Sequence, residues 1–262
     1  MDELSSMGQW LLFGVDKLQG TAYNKKEETV WPSGFAVIKN NNSDTQATVI
    51  TINQNRTGGN QMKKKIIAIS REFGSGGRSI GKMVAQRLGF RFFDKELVKE
   101  VAARTGISEA VVEEQGEYTG TRNWLSYLMS FSGGPKVRNG MRLNDFVWVM
   151  QSKIIRDLAE QEPCVIVGRG ADFILRDRKD CLRVLIHASL EFREERVVRQ
   201  YGEREVSAEE RILDKDRRRR LFYKKYTGRD WGMAENYHIT LDSGELGLET
   251  CAGIIAGLAG EG

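Results

Sequence analysis

With 262 residues, 29% charged and 40% hydrophobic, and a formal net charge of +4, the chain is long enough for one large α/β domain or two small ones, and its mild positive charge admits anionic ligands without calling for nucleic acid. Three cysteines without a CxxC pair (Cys164, Cys181, Cys251) and two distant histidines (His187, His238) argue against a disulfide framework, a zinc site or a His-based triad, and suit a reducing, cytoplasmic compartment in which the cysteines are small apolar filler. The apolar runs, such as Ile66 to Ile69, are too short to span a bilayer, and the N-terminus lacks the basic-then-apolar pattern of a secretory signal.

Residues 1–62 are polar and turn-forming, with Asn40 to Asp44 and Asn53 to Gln61 as the clearest stretches. They read as a disordered N-terminal extension, with Trp10 to Val15 and Phe35 to Ile38 as short apolar pieces able to pair or dock weakly. Met62 reads as a physiological start, or 1–62 as dispensable. From Lys63 strands and helices alternate, the signature of a parallel sheet covered on both faces. Ile66 to Ile69 is a buried strand. Ile80, Val84 and Leu88 mark one helix face, with Gly89 as its C-cap. Phe90 to Phe93 is a second strand, Glu96 to Arg104 a helix closing at Thr105-Gly106, and Ser108-Glu109 the start of another. Tyr118 to Gly140 reads as an irregular insertion around Trp124, Leu125, Leu128 and Met129. Asn144 is expected to cap a long helix carrying Val147, Met150, Ile154 and Leu158. Val165 to Val167 and Leu182 to Ile186 are strands; helices follow at Leu190 to Gln200 and Ala208 to Tyr226. Ile239 to Leu241 is the last strand before a C-terminal helix.

The segment Ile69-Ser70-Arg71-Glu72-Phe73-Gly74-Ser75-Gly76-Gly77-Arg78-Ser79-Ile80-Gly81-Lys82 carries the chemistry. A buried strand, a glycine-rich turn and an amphipathic helix follow in succession. Glycines at 74, 76 and 77 allow positive φ and let several N–H groups converge. The helix start adds unpaired amides and a positive dipole end, which together suit polyphosphate. A GxxxxGK match exists at Gly76 to Lys82, but Met83 stands where Ser or Thr is expected and Lys82 falls a full turn inside the helix. Counting from the strand end places Gly77 at the lysine position. Arg78 is then the preferred cation over the phosphates, Ser79 the candidate Mg²⁺-side hydroxyl, and Lys82 a side chain able to reach back. A ligand-free strand–helix turn is the plainer alternative.

Residues 69–81 resemble the opening of the cytidylate-kinase-like proteins, relatives of bacterial cytidylate kinase. The resemblance continues through Phe92-Phe93-Asp94-Lys95-Glu96-Leu97, Cys164 to Asp172, Tyr226-Thr227-Gly228-Arg229-Asp230-Trp231-Gly232 and Leu241-Asp242-Ser243. It implies a P-loop kinase fold for 63–262: a five-stranded parallel sheet flanked by helices, with a monophosphate-binding region and a lid. An acceptor-side insertion falls at about 107–143 and the lid at about 203–232. It further implies ATP as donor, Mg²⁺, and CMP or dCMP as acceptor. Carried over residue by residue, the donor loop is Gly74, Ser75, Gly76, Gly77, Arg78 and Ser79. Arg169, after Gly168, grips the acceptor; it also ends a buried strand at the edge where such sheets bind ligands, and its fork fits phosphate. A surface ion pair is its alternative. Gly170 departs from the family's Gly-Arg-Asp, leaving Asp172 as the nearest carboxylate. Asp94 orients the acceptor or holds a Mg²⁺-bound water, and can also cap the following helix.

Arg217 to Arg220, framed by Arg211, Lys215, Lys224 and Lys225, is the densest positive charge. The family's Asp-x-x-Arg falls on Asp216 and Arg219, with Arg217 beside them, as catalytic lid residues. One such arginine can be worth a factor of ~10³. Tyr223, Tyr226 and Trp231 could stack on a base or anchor the lid; anchoring is preferred. The leading expectation is a nucleoside-monophosphate kinase acting on CMP or dCMP. The alternatives are a non-catalytic nucleotide-binding sensor and, third, a nucleic-acid-binding regulator using the arginine run.

Overall fold

A computed structural model describes residues 64–115 and 140–260, together with four short strands nearer the N-terminus. The chain divides into two units, Met1–Ile52 and Asn53–Gly262. In the first, β1 (Tyr23–Lys25), β2 (Glu28–Val30), β3 (Phe35–Ile38) and β4 (Thr48–Thr51) form an antiparallel sheet in chain order. Part of the stretch expected to be unstructured therefore carries strands. Its β-branched residues, Thr29, Val30, Val37, Ile38 and Thr48 to Thr51, are favourable strand formers even in a polar context. The apolar piece Trp10 to Val15 and the insertion expected from Tyr118 to Gly140, all but Gly140 itself, lie outside the described residues.

The second unit is built on five parallel strands: β5 (Ile66–Arg71), β6 (Arg91–Phe93), β7 (Cys164–Val167), β8 (Cys181–His187) and β9 (Ile239–Asp242). Their spatial order is β6-β7-β5-β8-β9, which gives the five-stranded parallel sheet that the resemblance implies. The chain leaves the central β5 for the far edge, returns through β7, then crosses to the other side. That reversal opens a crevice at the carboxyl ends of β5 and its neighbours. Helices α1 (Gly77–Leu88), α2 (Glu96–Thr105), α3 (Glu109–Gln115), α4 (Leu143–Gln161), α5 (Ala171–Ile174), α6 (Leu190–Tyr201), α7 (Ala208–Thr227), α8 (Ser243–Leu246) and α9 (Leu248–Ala259) supply the cover.

Each strand is read twice. Ile66 and Ala68 face a core with Val98, Val101, Ile154, Ile155 and Leu158 from α2 and α4. Ile67 and Ile69 point the other way, toward the face that α1 covers; a Cβ at Gly81 of α1 would come within 2.9 Å of Val167 and 3.4 Å of Ile69. Burial on both sides explains the unbroken apolar runs. Gly89, Gly106 and Gly228 close α1, α2 and α7 in the left-handed conformation. Asn144 does not cap α4. The cap is Arg142, in extended geometry, and Asn144 is buried inside the first turn. The cysteines fill the core, and burial pushes the Cys164, Cys181 and Cys251 thiols up to about 12. Among the described residues no helix is long and apolar enough to cross a membrane.

Candidate active site

The turn after β5 is held from below. Gly74 (φ +88°) and Gly76 (φ +82°) are left-handed, and Gly76 starts α1 with no side-chain cap, leaving the first helical amides open to an anion. Ser75 is fully buried, with its hydroxyl 3.0 Å from the Glu72 carbonyl and 3.2 Å from that of Ile186. Its own carbonyl accepts from the Ser243 hydroxyl at 2.5 Å. Ser75 thus pins the loop to β8 and α8 and turns away from the cavity above. Gly77 has a steric reason to be glycine: a Cβ there would stand 2.5 Å from Cβ of Arg71. No lysine can occupy that position on this backbone.

Above the turn lies a cavity of about 180 Å³, lined among others by Arg71, Arg78, Ser79, Lys82, Arg196 and Arg219. Arg78 is half exposed, and its Nε is 2.5 Å from a carboxylate oxygen of buried Asp94. Asp94 therefore braces the start of α1 against the end of β6; it does not cap α2, whose N-cap is Lys95.

The other wall comes from α6 and α7. Buried Asp216 accepts from the Phe73 amide at 2.8 Å, from Arg193 Nη1 at 2.7 Å and from Arg219 Nη1 at 3.0 Å. Arg219 also donates to the Arg71 carbonyl at 3.0 Å, and Arg193 Nε lies 3.5 Å from Glu72. Two guanidinium groups and a loop amide around one carboxylate offset its desolvation, which is why α7 can bury charge here. Lys215 sits 5.1 Å over the Phe73 ring; burial, then the nearby Arg219 and Arg218 charges, lower its pKa to about 8. Arg217 is exposed and lines neither this cavity nor the smaller one described next. Arg218 is buried against Asp214 at 2.5 Å. Within the arginine run, Arg218 and Arg219 are therefore buried in ion pairs rather than displayed on the surface.

At the end of β7 the chain passes through Gly168 (φ +77°), Arg169 (φ +57°) and Gly170 (φ +66°). Among the described residues Arg169 is the only non-glycine with positive φ, a conformation that costs of order 1–3 kcal/mol and persists only when its surroundings impose it. Gln151 of α4 imposes it: its amide donates to the Arg169 carbonyl and accepts from Arg169 Nη1, both at 3.1 Å. Arg169 is fully buried, so it is no surface ion pair. A small cavity of about 10 Å³ lies between Ser70, Arg169, Arg219, Tyr223 and Trp231, room for roughly one water. Asp172 accepts from the Tyr223 hydroxyl at 2.7 Å; burial first, then that carboxylate, push the Tyr223 pKa up. The Trp231 indole donates to Ser70 Oγ at 3.1 Å, and Tyr226 stacks on Trp148 with centroids 4.8 Å apart.

The structure thus gathers Gly74, Gly76, Gly77, Arg78, Ser79 and Arg219 at one cavity, with Asp216 buried behind Arg219. Asp94 lies behind Arg78, and Arg169 and Asp172 are at the neighbouring strand end. Gln151, Arg193 and Arg196 are absent from the sequence reading, and Arg71 stands in its loop segment without a role. The spacing of Arg193, Arg196 and Gln200, one face of α6, was the available signal. A triphosphate suits the cradle: open amides at a left-handed turn under several cations. Mg²⁺ suits it only as a metal carried by phosphate. Among the described residues no group of three His, Cys, Asp or Glu side chains could hold a metal. Ser79 offers one hydroxyl, which accepts from Arg196 Nη2 at 2.9 Å.

Among solved structures, an uncharacterized protein from Eubacterium ventriosum matches with 25% identity and a TM-score of 0.56, covering 75% of this chain and 99% of that one. Shikimate kinases from Acinetobacter baumannii (17% identity, TM-score 0.44, covering 76% of this chain and 93% of that one) and Aquifex aeolicus (16%, 0.40, covering 74% and 95%) are also similar. No curated protein matches. Residues 66–245 match the cytidylate kinase-like family, and fold and match together support an enzyme of the P-loop kinase type, a phosphotransferase that binds nucleotide. The chain belongs to the cytidylate kinase-like family.

Proposed function

We propose that the protein transfers the terminal phosphoryl group of ATP to the phosphate of a nucleoside monophosphate, CMP or dCMP, releasing ADP and the nucleoside diphosphate. One observation carries the reading: Arg219 lines both cavities, the large one over the glycine loop and the small one at Arg169. A cation shared by the donor-side cavity and the recess at Arg169 stands where charge accumulates during transfer. Its geometry is fixed beforehand by Asp216 and the Arg71 carbonyl, so little reorganisation is needed. Arg78, braced by Asp94, faces the donor side, and Arg169 with Asp172 shapes the acceptor side. Mg²⁺ arriving on the triphosphate, with Ser79 as its hydroxyl ligand, would neutralise part of the phosphate charge. Trp231 and Tyr226 anchor the end of α7 and keep water from the junction.

A second reading, a nucleotide-binding sensor without transfer, draws on Gly77 at the position of the usual loop lysine. The deciding experiment incubates the purified chain with ATP, MgCl₂ and each common nucleoside monophosphate in turn, and follows ADP. Release of ADP with CMP or dCMP above the other acceptors is expected. ATP binding without transfer to any acceptor would leave the sensor.

A further inference from the structure

The cation that the loop lacks must come from another segment, because a side chain at position 77 would collide with Arg71. Five cationic side chains line the cavity, and they differ in how far their charge is already matched. Arg219 is held by Asp216. Arg78 is 2.5 Å from the buried Asp94 carboxylate. Arg71 is buried as the last residue of β5 and packs its stem where a side chain of residue 77 would begin. Lys82 is an exposed residue in the second turn of α1.

Arg196 of α6 is different. It is half-buried, and among the described residues no carboxylate pairs with it; its one hydrogen bond goes to the neutral hydroxyl of Ser79 at 2.9 Å. Its Nε would lie 3.3 Å from a Cβ on Gly76, so the guanidinium rests on the turn itself at the start of α1. Burial draws its pKa down, and the neighbouring Arg199 charge adds to that. A guanidinium nonetheless stays protonated. A desolvated cation without a counter-ion, lying across a ring of open amides, is matched by a dianionic phosphate group, which its fork can hold through two parallel bonds.

We propose that Arg196 is the residue that holds the terminal phosphates of the donor triphosphate, in the role that a loop lysine plays in the usual glycine-rich phosphate loop. This rests on reading the cavity as the triphosphate site, and the test separates the two claims. Calorimetric titration of the wild-type chain with a non-hydrolysable ATP analogue and MgCl₂ comes first; no binding there overturns the reading of the cavity itself. With binding in hand, Arg196→Ala is expected to weaken the analogue roughly 10- to 100-fold, the range for one charge-assisted contact, while changing AMP affinity less than about threefold. Arg196→Lys, which keeps the charge but not the fork, should fall between the two. Arg78→Ala should cost less than Arg196→Ala, because Asp94 already draws on its charge. Analogue affinity unchanged in Arg196→Ala, or equal losses for AMP and analogue, would overturn the proposal; the second result would put Arg196 on the base or sugar instead. Thermal melting of each variant confirms that the fold is kept.

Discussion

Asp216 is the most demanding buried charge near the loop, and its removal tests the argument that α7 completes the site. Its carboxylate is 3% exposed and sits 2.7 Å from Arg193 Nη1 and 3.0 Å from Arg219 Nη1, while also accepting the Phe73 amide at 2.8 Å. Asp216→Ala removes three acceptor contacts and leaves two guanidinium groups buried. Breaking such a pair from one side costs about 3–5 kcal/mol. Arg193 keeps Glu72 at 3.5 Å as a second partner, which places the expectation at the lower end, about 3 kcal/mol. Asp216→Asn keeps the shape and one acceptor and should cost less than Ala. Urea unfolding at unchanged m-value measures the stability, and titration with the ATP analogue measures the site. Asp230→Ala is the control: its partner Lys224 is 2.8 Å away but 55% exposed, so a loss below about 1 kcal/mol is expected. A loss for Asp216→Ala as small as the control's would refute the account of this network.

Gly77→Ala brings a Cβ to 2.5 Å from Arg71 Cβ and 2.9 Å from its Cγ. Displacing that stem should cost about 1–3 kcal/mol and weaken analogue binding together, read by melting and calorimetry; a variant with wild-type stability would contradict the steric reason given for the missing lysine. His238 accepts the Arg183 amide at 3.1 Å through Nδ1, and burial, then the Arg183 and Lys64 charges, lower its pKa to about 4. The folded value lies below the unfolded value near 6.5, so the unfolded chain binds the extra proton. Its contribution is complete above about pH 6.5 and is lost as the pH falls toward 4. Melting curves of wild type and His238→Asn should therefore converge between pH 6.5 and 4; a gap that stays constant would count against this assignment.

The sheet was legible because its strands are buried on both faces, so Ile66 to Ile69 and Val165 to Val167 stand out without any alternation to decode. Helix ends were legible wherever glycine closes them, at Gly89 and Gly106. Asn144 misled because its residue type favours a cap, whereas packing draws it inside the turn and leaves the cap to Arg142. The strands within residues 23–51 were obscured by polar surroundings that dilute their β-branched residues. In the site, the loop and Arg219 carried local signatures. Gln151 did not, and Arg193 and Arg196 offered only their spacing on one helix face, because each acts on a segment distant in sequence. Nothing in the letters Gly-Arg-Gly announces that Arg169 is held in a left-handed conformation by a glutamine eighteen positions earlier.

That distance has a thermodynamic meaning. A loop that carried its own lysine would present a nearly complete anion site on β5 and α1 alone. Here Gly77 excludes a side chain, and charge arrives from α6 through Arg196 and from α7 through Arg219. The same docking is secured by Asp216 on the Phe73 amide and Arg219 on the Arg71 carbonyl. Whatever anion favours the cations at the loop therefore also favours the packed position of both helices, and by linkage the packed helices raise the affinity for the anion in equal measure. This is why Asp216→Ala, though its carboxylate is an unsuitable partner for phosphate, is expected to lose affinity as well as stability. The loss in binding reports how much of the site's charge depends on α7 being in place.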